Sequence, residues 1–333
     1  MFKKIALTLS AFILLFPITP AIAATTIFSA QREVDQLRTL AAEKYEAANV
    51  VKIQIIQLQR ETRGLLKNSK SVRTKRDEAR QLLSRIAIEK YKNDGIGEGF
   101  ALLFSANPTQ YLSDASSVEL IARKYAMALK SYMTYQQRLV ANQLVLTDRT
   151  ANVRAQQIRL SAEVTAAQMA LTKAERILSS LKVGDRKRLL KAEKAREQKI
   201  FKRSKIVAKS YVGDSSRGSK ALQYALQQIG DIYVWGGAGP TRWDCSGLTL
   251  RSFQRSGVSL PHSAAVQFNY GKSVSYKVLK PGDLLFYGRP ISHVSIYMGG
   301  GKMVQAPRAG KKVEVVSFTL QFGSKPFIGA KRL

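Results

Sequence analysis

One cysteine and two histidines are all that the 333 residues hold of those two residue types. The lone cysteine, Cys245, closes no intrachain disulfide, and nothing in the chain has the spacing of a zinc site. No metal or other cofactor is expected. Acidic residues are also scarce: 23 Asp and Glu against 54 Lys and Arg leave a net charge of +31, which implies a polyanionic partner. Long apolar runs are missing beyond the N-terminus, so no segment after it has the length and apolarity of a membrane helix.

The N-terminus itself reads as an export signal. Lys3 and Lys4 precede an apolar run from Ile5 to Phe16, and Ala21-Ile22-Ala23 is a small-x-small cleavage site, so residues 1–23 are expected to be removed after about Ala23. An uncleaved anchor is the alternative. No cysteine follows the run, which excludes lipid attachment there. A secreted chain, placed in the cell wall or outside the cell, turns the charge away from nucleic acid and toward anionic wall polymers or a membrane surface.

Residues 27–209 read as a coiled-coil hairpin. Stepping alternately three and four residues from Val34 to Ile86 meets sixteen positions, twelve of them apolar, with Lys, Arg, Gln and Glu between them. Asn93-Asp94-Gly95 breaks the pattern, and an apolar tip insert occupies about 93–117. A strict seven-residue register then runs from Tyr125 to Leu181. Folding the second helix back on the first is the simplest arrangement, and a parallel intermolecular coiled coil is the alternative. Lys182 to Lys209 carries twelve basic residues against Asp185, Glu193 and Glu197, either as a solvated helix end or as a contact surface for an anionic wall polymer or membrane. Residues 210–219 have the small and polar composition of a linker.

The head, residues 220–333, reads as α+β, with helices first and short alternating strands after. Asp244 is a good N-cap and Gly257 a good stop, so Cys245 falls in the first turn of a helix, where unpaired backbone N–H groups favour a thiolate. A buried structural cysteine is the bland reading. Both histidines lie in the same domain. Strand alternation in Ser292-His293-Val294-Ser295-Ile296-Tyr297-Met298 puts His293, Ser295 and Tyr297 on one, less apolar, face, and Gln305 on the next strand is placed to orient the imidazole. His262 follows Pro261 in a loop without such a partner, so His293 is preferred as the base.

Six blocks, Tyr233-Val-Trp-Gly-Gly237, Asp244-Cys-Ser-Gly-Leu248, Leu260-Pro-His-Ser-Ala264, Pro281-Gly-Asp-Leu-Leu-Phe286, Ser292-His-Val-Ser-Ile-Tyr-Met-Gly299 and Gln305-Ala306, resemble in this order the NlpC/P60 family of cell-wall cysteine peptidases. The resemblance implies a papain-like catalytic domain that hydrolyses peptidoglycan stem peptides, typically at the bond between γ-D-glutamate and the diamino acid. It assigns Cys245 as nucleophile, His293 as general base and acid, and Gln305 as orienting residue, with Tyr233, Asp244 and Ser246 on the substrate side. Two positions depart from the family pattern. Gln305 stands where histidine is commonest, and His262 stands where arginine is frequent. The exported coiled coil resembles secreted endopeptidases of Gram-positive and actinobacterial walls, whose coiled coils are thought to engage a division-associated membrane transporter complex. A wall-binding scaffold that docks such a complex without cleaving wall is the alternative function. A rod of this length could also cover the active-site cleft.

Overall fold

The computed structural model of the protein describes residues 20–93 and 108–333. Positions 1–19 of the export segment and 94–107 of the tip insert lie outside the described residues. Helix α1 spans Pro20–Asn93 and helix α2 Pro108–Ser180. Pro108 stands at the first helical position, where its missing N–H leaves nothing unsatisfied, so α2 is under way inside the stretch of about 93–117 read as a tip insert.

The chain forms two compact units, one of residues up to Val50 together with Ala162–Leu333, the other Val51–Ser161. In the second unit α1 and α2 run antiparallel, joined by an Arg149–Glu61 ion pair of 3.0 Å, and Ile55, Val72 and Ala79 of the seam are buried. In the first unit the same antiparallel sense is set by Lys44–Glu163 at 3.2 Å and Lys173–Glu33 at 3.3 Å. There Val34, Ala41 and Ala48 are buried on the seam, with Ala167 and Ala174 on α2. A second buried stripe, Ala42, Tyr45, Glu46 and Asn49, runs beside that seam. Its spacing of three, four and seven is one helix face, and two of its four members are polar.

Helix α3, Val183–Lys209, turns its few acids inward and its cations outward. Glu193 accepts from Arg38 at 3.1 Å and from Lys311 at 2.6 Å, and Glu197 accepts from Lys311 at 3.0 Å, while the twelve Lys and Arg from Lys182 to Lys209 are exposed. The head follows as α4 (Arg217–Gln227), β1 (Ile232–Tyr233), β2 (Arg242–Trp243), α5 (Cys245–Gln254) and a one-turn α6 (Ala264–Gln267). Strands then take over: β3 (Lys272–Val274), β4 (Leu284–Tyr287), β5 (His293–Gly299), β6 (Lys302–Gln305), β7 (Glu314–Ser317), β8 (Gln321–Phe322) and β9 (Lys325–Arg332).

The main sheet has the order β3-β9-β4-β5-β6-β7, antiparallel throughout. Gly300 and Gly301, both at positive φ, make the tight β5–β6 turn that side chains would resist. One face, with Leu284, Phe286, Val294, Ile296 and Val304, packs on α4 and α5 around Leu222, Leu248 and Phe253. The other carries Leu285, Tyr287, Met303 and Ala330 under Phe318, Phe322 and Phe327. Strand β7 ends the sheet, and Ser204 of α3 closes it: its Oγ accepts from Val315 N at 2.9 Å and lies 3.4 Å from Val315 O, to which it donates.

Candidate active site

Helix α5 begins as its sequence demands. Asp244 is extended at the N-cap, and its Oδ1 accepts from Gly247 N at 2.7 Å, which leaves Cys245 as the first helical residue. The same carboxylate accepts from Gly236 N at 2.8 Å, from Ser246 Oγ at 3.2 Å and from His262 Nε2 at 2.8 and 2.9 Å. Asp244 is thus saturated by internal bonds, and His262, standing where arginine is frequent in the resembled family, is its cationic or N–H partner. Gly247 is required by close approach, since a Cβ there would meet the Gly237 carbonyl at 2.0 Å. Gln267, which no motif marks, ties this region together: its Nε2 donates to Ser246 O at 2.9 Å and Pro261 O at 2.8 Å, and its Oε1 accepts from Thr249 at 2.7 Å.

The thiol of Cys245 lies against the backbone N–H of Val294, one residue beyond His293. His293 and Gln305 are joined at 2.7 Å, imidazole Nε2 to amide Oε1. The register that pairs Ile296 with Val304 sets Gln305 one diagonal step from His293 on the same face, within reach of a long side chain. That less apolar face is itself covered. His293 is 1% exposed, stacked on Phe322 with ring centroids 4.8 Å apart, because β8 and β9 lay a second apolar layer over it.

Burial reverses the electrostatics expected at a helix start. Loss of water, then the charges of Glu46 and Asp244, push the Cys245 thiol far above the ordinary thiol range, and the Val294 N–H offsets little of this. His293 falls to about 3, through burial and the nearby Lys325 ammonium. In this arrangement both groups are neutral at pH 7. Tyr233 is buried beside Cys245, and desolvation and the charges of Cys245, Asp244 and Glu46 raise its phenol. Ser246 is fully buried.

The cover is the second stripe of α1. Tyr45 stacks on Trp235 at 4.5 Å and 16°, and Trp235 Nε1 donates to the Tyr45 carbonyl at 3.0 Å. Glu46 Oε1 accepts from Ser263 Oγ at 2.6 Å and Ala265 N at 3.3 Å, and Asn49 donates to Oε2 at 3.4 Å. Burial lifts its carboxyl from 4.5 to about 7, against those bonds. One turn earlier Glu43 lies 3.8 Å from the buried Lys325 ammonium. Sequence reasoning missed Tyr45, Glu46 and Lys325. The only signal was the i, i+3, i+4, i+7 spacing of a stripe too polar to count as core. Among the described residues no group of His, Cys, Asp and Glu could hold a metal ion.

Residues 230–332 match the NlpC/P60 family model, a span that holds Cys245, His293 and Gln305 in order. The C-terminal part of the chain is an NlpC/P60 domain. Over 111 residues it is 41% identical to a probable endopeptidase of Mycobacterium tuberculosis, covering 33% of this chain and 28% of that protein. Peptidoglycan endopeptidase RipA of the same species is 40% identical over 116 residues, 29% of this chain and 25% of RipA. NlpC2 from Trichomonas vaginalis, a solved structure, is 28% identical over 36% of this chain and 48% of that one, with a TM-score of 0.34. The chain thus spans about a quarter of the length of the curated relatives it matches. No described helix is long and apolar enough to cross a membrane.

Proposed function

We propose that the protein is a secreted cysteine endopeptidase of peptidoglycan stem peptides, acting on the bond between γ-D-glutamate and the diamino acid, and that α1 holds it shut. The observation that carries the reading is the Cys245 thiol at the start of α5, beside the strand whose His293 is oriented by Gln305. The likeness of the NlpC/P60 domain to proteins named endopeptidase supports the reaction class.

With Nε2 of His293 turned to Gln305, Nδ1 is the nitrogen left to take the Cys245 proton. The thiolate attacks the γ-glutamyl carbonyl, and the oxyanion forms where the free N–H of Cys245 at the helix start donates. His293 returns the proton to the leaving amine, and water then hydrolyses the thioester. Tyr233, Asp244 and Ser246 shape the substrate side, Asp244 by holding the Gly236, Ser246, Gly247 and His262 groups in place.

The covered state lacks this chemistry for two physical reasons. Tyr45 and Glu46 occupy the approach along Trp235 and Ser263, and Glu46 disfavours the thiolate by its charge. Removing α1 readmits water and takes that charge away. The exposed cations of α3 hold the enzyme on anionic wall polymers, and a division-associated membrane complex is the partner proposed to draw the helices off.

The test incubates the full chain, a Tyr45→Ala/Glu46→Ala chain and the same double variant with Cys245→Ala with purified peptidoglycan, and identifies released fragments by mass spectrometry. Cleavage at the γ-glutamyl bond by the double variant, much slower in the parent and absent without the thiol, is expected. No cleavage by the double variant would overturn the endopeptidase reading and leave a wall-binding scaffold.

A further inference from the structure

An uncharged glutamine is a weak third member for a cysteine site, because an amide has two ends. One orientation presents Oε1 to the imidazole and the other presents an NH2 group. Only the first fixes the proton on Nε2 and frees Nδ1 as base. Nothing in His293 and Gln305 alone selects between them.

The selection comes from the next strand. In the β6–β7 register Gln305 stands directly opposite Glu314, and Gln305 Nε2 donates to Glu314 Oε1 at 3.2 Å. An ionised carboxylate only accepts, so the amide end facing it must be NH2, and the end facing His293 must be oxygen. We infer that Glu314 is a positioning residue of this site, acting through Gln305 to hold His293 in the Nε2–H tautomer and to supply the negative charge that Gln305 lacks. The inference rests on the proposed Cys245–His293 chemistry. Here a neutral amide and a carboxylate stand in series behind the imidazole.

The charge of Glu314 depends on its own setting. It borders a cleft of about 550 Å³ that also reaches Arg38, Glu193, Arg308 and Lys311. Burial, with a smaller contribution from Glu197 of α3, raises the carboxyl above its ordinary value, while the Gln305 bond, Lys311 and Arg308 favour its ionised form. Protonated, Glu314 can donate as well as accept, and the amide loses its anchor.

The two histidines make the test direct, since ¹⁵N-histidine labelling of the full chain gives only His262 and His293, and a His262→Gln sample assigns them. The wild type at pH 7 is expected to show His293 as a single Nε2–H tautomer. Glu314→Gln should show both tautomers, and, added to the Tyr45→Ala/Glu46→Ala chain that frees the site, it should lower kcat on a soluble muropeptide about tenfold or more with KM unchanged. The charge swap Gln305→Glu/Glu314→Gln should restore the single tautomer. A wild-type tautomer in Glu314→Gln, with an unaltered pH profile, would overturn the inference. Should that variant not fold, lowering the pH of the wild type through the Glu314 titration, still above that of His293, must shift the tautomer populations, and constant populations would overturn it equally. If the Tyr45→Ala/Glu46→Ala chain cleaves no muropeptide the endopeptidase reading fails, while the tautomer measurement still decides the role of Glu314.

Discussion

Glu46→Gln should tighten the cover over Cys245, and the gain should grow with pH. Covered, Glu46 titrates at about 7; uncovered and hydrated, it returns to 4.5. A group whose pKa is raised in the covered state favours that state fully below 4.5. The advantage is lost progressively as pH rises to about 7, and is constant beyond. The difference is worth about 3 kcal/mol, or on the order of a hundredfold in the fraction uncovered. Glutamine keeps an oxygen for Ser263 Oγ and Ala265 N and carries no ionisation cost. Alkylation of Cys245 by iodoacetamide reports the uncovered fraction in the full chain, and the ratio of wild-type to variant rates cancels the titration of the thiol itself. That ratio should lie near one at pH 4.5 and rise to on the order of a hundred at pH 8. A ratio flat with pH, or a variant that alkylates faster than wild type at pH 8, would refute the reasoning.

Other outcomes follow from single contacts. Asp244→Ala strands the donors of Gly236 and Gly247 and the His262 ring, and should lower stability by about 3–5 kcal/mol, read by thermal melting. Gly247→Ala drives a methyl into the Gly237 carbonyl and should abolish soluble folded protein, seen as loss of the cooperative melt. Trp235→Ala removes the Tyr45 stack and the Nε1 donor, and should speed Cys245 alkylation at pH 7 about tenfold. Replacing Lys187, Lys191, Lys194 and Lys202 of α3 by glutamine should lower the salt concentration that releases the chain from isolated walls; an unchanged release point would show that the charged face is not the contact.

The sequence exposes what periodicity and capping govern. The seam from Val34 to Ile86 and the Asp244 cap are local patterns, and the structure has the seam turned inward and Asp244 at the N-cap. The cover was harder to read, because Glu46 and Asn49 are polar and only their partners, more than two hundred residues away for Ser263, make burial tolerable. The setting of the thiol was hidden for a similar reason: a helix start is local, but the burial and the charge of Glu46 that raise the Cys245 thiol are not. Glu314 lay hidden in register. No motif announces which residue of β7 will stand opposite Gln305.

Ser204 acts as a stopper at the edge of the sheet. By bonding both backbone groups of Val315 it denies the outer strand to any newcomer, a duty that falls to a helix lying outside the NlpC/P60 span. A protease that severed the chain between α3 and α4 and let α3 drift off would therefore release a head with a bare, strand-hungry flank. Such a fragment should pair flank to flank or adhere to extended peptides. Freed heads would then differ from the intact protein in stickiness before they differed in chemistry.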